Sequence, residues 1–366
     1  MKPIIYFITA ALVLVTGCHK SETAPSQEQY DRYIFFSQGI DTKASLINSA
    51  ADMAGKEFAV IGFEYDKSSN WSTEEANAVP NVFYNDAGTA TIPVETLTCY
   101  NEGTGAETIA AEYSPLQGWS NTKKYSFFAY YPNSIGNSYV SLVNMNGTAY
   151  TPGAPSIKYT MNPAALKASM VDLMTASPHK DLDGSESDKT SQDVTFNFSH
   201  RLSCLGLKVK NSSGGDIVIS NVTFILLGIR YTDITIPLDE GEISRTAAAN
   251  PLSASLSLDL GENTDEMTLS PSATEDLSDK LIFIPQTENV SIQMEIVYKR
   301  LSANGYDGYD KFVTLTLPGA DNHLTTALAE GKKHIVTVNF TNSTVNVSGA
   351  VPEPWKEKYT IKDTFN

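Results

Sequence analysis

Cysteine is scarce in this chain, with three in 366 residues, at positions 18, 99 and 204. Thiols so few and so far apart exclude the disulfide framework of a small secreted domain, and they lack the close partner of a zinc site. Histidine is scarce too: the five, at 19, 179, 200, 323 and 334, include no i, i+4 pair and no HExxH. Neither common Gly-rich phosphate loop occurs, nor a GxSxG turn for a serine nucleophile. No metal, cofactor or catalytic group is expected, and the chain does not read as an enzyme. A hydrolase acting through two carboxylates needs no motif. With 42 Asp and Glu residues, however, some suitably spaced pair always exists, so nothing positive supports one. Basic residues are in deficit, 26 Lys and Arg against those 42 acids, for a formal net charge of -16. That charge repels nucleic acid and anionic membrane surfaces, so neither is expected as the working partner.

Long apolar runs are missing with one exception, the stretch from Ile4 to Val15 that follows Lys2. It is too short for a hydrocarbon core that needs ~20 residues. With the small residues Thr16 and Gly17 behind it, the segment has signal-peptide anatomy. Val15-Thr16-Gly17-Cys18 resembles the lipobox of bacterial lipoproteins. The resemblance implies that residues 1–17 are removed between Gly17 and Cys18, and that the Cys18 thiol carries acyl chains such as palmitate. At ~0.8 kcal/mol per buried CH₂, two chains suffice for stable anchoring. The expected location is the outer membrane, lipid-anchored and surface-exposed.

What is abundant is period-two alternation of Val, Ile, Phe, Tyr and Thr, broken at short intervals by Gly, Asn, Asp and Pro. Residues 18–29 are polar and aperiodic, a tether. Strands are predicted over Arg32–Gln38, Glu57–Tyr65, Asn81–Tyr84, Thr89–Val94, Tyr125–Tyr131 and Ile157–Met161, with one short helix at Pro163–Met170. Polar Ser177–Gln192 reads as a connector between an N-terminal domain (30–185) and a C-terminal domain (186–343), followed by a tail (344–366). The second domain offers Asp193–His200, Leu202–Lys210, Ile217–Leu227, Tyr231–Ile236, Ala254–Leu260, Lys280–Ile284, Val290–Tyr298, Lys311–Leu317 and His334–Phe340. Many short antiparallel strands imply an all-β chain with a β-sandwich in each half. A bridge between Cys99 and Cys204 stays an open alternative; stability is expected from a core that 41% hydrophobic residues can supply.

Three features invite a chemical reading. Asp181, Asp183, Glu186 and Asp188 miss the spacing of calcium loops and read as solvated linker. Asn304 to Asp310 reads as a hairpin turn. His200 shares one strand face with Phe196 and Phe198, and no carboxylate partner is evident, so it reads as the rim of a packed face.

Tyr125 to Pro132 (YSFFAYYP), Asp172 to Ala176 (DLMTA) and Thr195 to Leu202 (TFNFSHRL), in this order behind a lipobox, resemble the fimbrillin family of type V pilins. The likeness extends over most of the chain, to Trp355. It implies two transthyretin-like antiparallel β-sandwich domains in tandem, no catalysis, and assembly into a fimbrium that supports adhesion. It also implies activation by a trypsin-like surface protease that cuts after a basic residue just beyond the first strand. That strand is then lost, and a strand from another pilin subunit fills the vacancy. Here Arg32–Gln38 is the removable strand and Lys43-Ala44 stands where relatives usually present Arg-Ala.

Sheet-edge completion of this kind needs a donor with period-two apolar residues. The tail supplies Val345, Val347 and Val351, then Tyr359, Ile361 and Phe365, with Pro352 and Pro354 expected to break the ladder between them. For Val345–Val351, completing the chain's own second sheet is an equal alternative. The competing function is a non-polymerising surface lipoprotein that binds glycans through Trp71 or Trp119, or another host or bacterial surface ligand.

Overall fold

A computed structural model of the chain describes residues 34, 36–40, 55–83, 95–100, 109–114, 116–134, 137–146, 149–185, 194–258, 260, 266–277, 281–285, 291–302, 305–306, 311–317, 328–348 and 352–354. The fold is all-β, as the alternation predicts. The first twelve strands are β1 (Phe36–Ile40), β2 (Glu57–Asp66), β3 (Glu95–Tyr100), β4 (Ile109–Glu112), β5 (Lys123–Tyr131), β6 (Val140–Leu142), β7 (Met145–Asn146), β8 (Ala149–Tyr150), β9 (Ser156–Thr160), β10 (Met174–Ala176), β11 (His179–Asp183) and β12 (Val194–His200). One sheet runs β10-β12-β1-β4-β3-β2-β5-β11, and β10 also pairs with β5. The sheet therefore closes on itself.

The remaining strands are β13 (Ser203–Asn211), β14 (Ile217–Pro237), β15 (Ser244–Ser257), β16 (Met267–Leu269), β17 (Thr274–Asp276), β18 (Leu281–Phe283), β19 (Ser291–Ser302), β20 (Gly305–Tyr306), β21 (Lys311–Leu317), β22 (Lys332–Phe340), β23 (Val345–Ser348) and β24 (Pro352–Pro354). They form one sheet around β13 and β22 and another around β14 and β19. The second of these also takes in β9 and β6, with Asp233 opposite Thr160 and Val140 opposite Tyr159. Sheet membership thus interleaves along the chain: β12 lies in the first sheet, whereas β6 and β9, earlier in sequence, lie in the third.

Two strands explain how the cores connect. In β5, Tyr125, Phe127 and Ala129 face one core, while Phe128 and Tyr130 face the other. β2 divides the same way, Phe58 and Val60 against Ala59, Ile61 and Phe63. A strand buried on both faces reads as a continuous apolar run, which is the composition of KKYSFFAYY. The wall built by β2 and β5 is shared, and the second core, here called the outer core, continues from Phe63 and Phe128 to Leu205, Val336 and Phe340.

Several elements depart from the sequence reading, each for a local reason. Asn81 to Phe83 forms no strand; the Asn81 side chain accepts from the Glu64 N–H (2.7 Å) and donates to the Glu64 carbonyl (3.0 Å), so an amide stands in for ladder backbone. Gly62 lets Val82 and Phe83 pass over β2, since a Cβ there would lie 2.8 Å from Val82 and 2.7 Å from Phe83. The predicted helix splits into a 3-10 turn at Pro163–Ala165 and an α turn at Leu166–Ser169. A second short helix, Trp71–Glu74, is set by an Asn70/Thr73 capping box. Part of the predicted linker is strand β11, and Asp181 is engaged rather than solvated, accepting from the Tyr65 hydroxyl and the Trp71 N–H at 2.9 Å each. Pro352–Pro354 pairs with Lys332–His334 instead of breaking the ladder, because an edge strand tolerates proline. The predicted strand Thr89–Val94 lies outside the described residues.

Phe128→Ala should lower unfolding free energy by about 3–5 kcal/mol, read from denaturant midpoints. A second prediction concerns His334 in β22, which is buried and accepts a weak hydrogen bond from the Ala329 N–H at 3.4 Å. Burial holds its imidazole below the ordinary 6.5. The unfolded ring takes up a proton near pH 6.5 while the folded ring resists. Stability should therefore fall as pH drops below about 6.5 and level off below the folded-state value. His334→Gln should reduce that acid-side slope in urea titrations.

Candidate functional site

The expected removable strand is an interior member of the closed sheet. β1 pairs parallel with β12 (Phe36 opposite Val194, Ile40 opposite Phe198) and antiparallel with β4 (Phe36 opposite Ala111). Within the described residues β1 runs past the predicted Gln38 to Ile40, and at Ile34 the backbone bonds to other partners. The Ile34 N–H donates to the Gln117 carbonyl (2.8 Å), its carbonyl accepts from the Tyr113 hydroxyl (2.8 Å), and that hydroxyl accepts from the Gln117 N–H (3.1 Å). Burial pushes the Tyr113 hydroxyl well above its ordinary pKa, with the Glu95 charge adding to the shift, so it stays protonated.

Ile34 and Phe36 are both buried. The Phe36 ring stacks on Phe196 (5.6 Å, 8°) and meets Phe127, Tyr113 and Phe83 at 5.3, 5.5 and 5.8 Å. Burial of two such side chains contributes ~1.5–3 kcal/mol each. Taking β1 away leaves unpaired N–H and C=O groups on β12 and β4 on either side of an aromatic groove.

The three phrases that carry the pilin resemblance come together beside this groove. YSFFAYYP supplies β5, DLMTA β10 and TFNFSHRL β12, and β10 pairs with both others: Met174 lies opposite His200 on one side and Tyr131 on the other. That pairing brings Asp172 to His200, Oδ1 to Nδ1 at 2.6 Å, with both side chains buried. His200 therefore has a carboxylate partner that sequence spacing did not reveal. Next to it the Arg201 N–H donates to the Leu173 carbonyl (2.8 Å) and its guanidinium pairs with Glu330 (2.8 Å). Cys204 is a buried thiol in no disulfide.

In the tail, β23 lies antiparallel to β22 of the same chain, Val345 opposite Phe340 and Val347 opposite Val338, with Val345 packed against the outer core. Gly17, Cys18, Lys43, Ala44, Val351, Tyr359, Ile361 and Phe365 lie outside the described residues. Trp71 and Trp119 are 2% and 7% exposed, each edge-on to a neighbouring aromatic ring, so neither offers a flat exposed surface to a sugar.

Residues 56–355 match the fimbrillin-like family, and the chain belongs to it. β1 lies ahead of the matched span. Among individual relatives, the chain is similar to the fimbrium subunit Fim1C of Phocaeicola vulgatus, at 24% identity over 209 residues that cover 55% of this chain. The match spans 49% of that relative, about half its length. In fold the chain resembles a fimbrial protein of Bacteroides vulgatus, with a TM-score of 0.58, 20% identity, and coverage of 89% of this chain and 100% of that one. It also resembles a Bacteroides ovatus chain provisionally described as a cell adhesion protein, with a TM-score of 0.51, 17% identity, and coverage of 90% and 99%.

Asp172→Ala takes the carboxylate from a buried imidazole and should cost about 1–3 kcal/mol, lowering the thermal midpoint. Asp172→Asn, which keeps the shape, should cost less.

Proposed function

We propose that the chain is a structural subunit of a type V fimbrium, assembled by protease-triggered strand exchange. The observation that carries the reading is the position of Phe36. It fills the centre of an aromatic core, on a strand held between β12 and β4 by non-covalent contacts. The precursor is delivered as a lipoprotein on Cys18. A trypsin-like protease then cuts between Lys43 and Ala44, and lipid anchor and first strand leave together. The vacancy is filled by the tail of a neighbouring subunit, because only a strand of matching alternation satisfies both the open edges and the groove.

Of the two tail segments, Val345–Ser348 is already paired within its own sheet, which favours Tyr359, Ile361 and Phe365 as the donor set. On this reading the chain comprises two sandwich units, the first accepting a strand and the second carrying the tail that donates one. Adhesion follows from the fibre reaching other surfaces.

Incubation of the signal-free protein with trypsin should yield a fragment beginning at Ala44 that forms SDS-resistant oligomers. Lys43→Ala should block both events, and deletion of residues 355–366 should permit the cut but not the oligomers. A cut, full-tailed protein that stays monomeric in sedimentation contradicts the proposal.

A further inference from the structure

The hydrogen bonds around Ile34 form a closed ring whose geometry has a direction. In an ordinary antiparallel bridge, one residue's N–H and C=O face the C=O and N–H of its partner directly. Here the Ile34 N–H reaches the Gln117 carbonyl directly. The return bond is relayed, from the Gln117 N–H to the Tyr113 hydroxyl and from that hydroxyl to the Ile34 carbonyl. The Tyr113 oxygen is thus acceptor and donor at once, and its single proton is committed to Ile34. Ile34 contributes to this ring only its backbone N–H and C=O. The Tyr113 ring is held in place by Phe36 at 5.5 Å and Phe83 at 5.4 Å, and burial keeps its hydroxyl protonated.

We infer that Tyr113 and the Gln117 backbone form a latch that sets the direction and register of whichever strand fills the groove. Because the latch reads an N–H and a C=O and no side chain, it serves β1 and a strand of different sequence equally. A strand entering with the opposite direction turns its carbonyl toward the Gln117 carbonyl, an acceptor against an acceptor. The accepted strand therefore runs as β1 does, parallel to β12 and antiparallel to β4. Tyr113 is a positioning residue: its ring lines the Phe36 pocket, while its hydroxyl acts only on the backbone of the strand.

This inference deepens the strand-exchange reading, and its first test does not depend on it. Tyr113→Phe removes only the hydroxyl. In the uncut, full-length chain, hydrogen exchange followed by mass spectrometry should speed up about tenfold in peptides containing Ile34 and β1. Other strands should be unchanged. Tyr159→Phe, which removes a hydroxyl that donates to the Ser169 carbonyl at 2.8 Å in the other core, is the control and should leave β1 exchange alone. Equal acceleration everywhere, or the same effect on β1 from Tyr159→Phe, overturns the latch.

A second test adds a synthetic peptide of residues 32–38, carrying a photo-crosslinking group at its N-terminal or its C-terminal end, to protein cut after Lys43. The N-terminal group should mark the Val194 end of β12 about tenfold more often than the His200 end, the C-terminal group the reverse, and Tyr113→Phe should abolish the preference. Equal marking of both ends of β12 in the unaltered protein overturns the directional claim. Failure of the peptide to bind counts against strand exchange itself, while the exchange rates of the uncut chain still decide the latch.

Discussion

The stacking of Phe36 on Phe196 is the contact on which the first sheet depends. These residues lie 160 positions apart in sequence, and β1 is held in the ring by its pairing with β12 and β4. The ladder on each side and the ring in the middle support each other: the register that sets Phe36 opposite Val194 goes with its stack on Phe196 and its place among Phe83, Tyr113 and Phe127. A sheet closed by a short segment from near one end of the chain is stable while that segment stays. It becomes an open, apolar, two-edged groove when the segment leaves. Both states follow from the same contacts, which is why one element can act as seal and as placeholder.

The shared wall of β2 and β5 connects this groove to the rest of the molecule. Phe127 touches Phe36 on one face, and Phe128, the next residue, packs into the core that reaches Val336 and Phe340. β23 lies on the same β22 that carries those two residues. Packed side chains therefore run from the surroundings of Phe36 all the way to the C-terminal sheet. For a subunit of a fibre, continuity of this kind matters more than any single pair.

Much of the fold was legible from alternation. The runs Glu57–Tyr65, Tyr125–Tyr131 and Lys311–Leu317 are strands within two residues of their predicted ends, because period-two patterns and buried runs report faces directly. Partners were not legible. Asp172 meets His200, across 28 residues of chain, only because β10 registers Met174 against His200, and Tyr113 meets Ile34 through a hydroxyl relay that no spacing rule describes. Long strands were also underestimated. Ile217–Leu227 and Tyr231–Ile236 read as two strands because Gly228 lies between them, yet β14 passes through that residue at φ +83 in register shifts against β15. The acidic run after Ser177 looked solvated because polarity outweighs pattern when Asp181 is judged alone, although its carboxylate anchors Tyr65 and Trp71.

The central claim is that the place of β1 is vacated and refilled. Electron cryo-microscopy of fibres grown from protein cut after Lys43 tests it most directly. The account predicts an extended strand from the neighbouring subunit's tail between β12 and β4, with one of its apolar side chains against Phe196. Fibres in which Phe36 of the same chain still lies on Phe196 would contradict it.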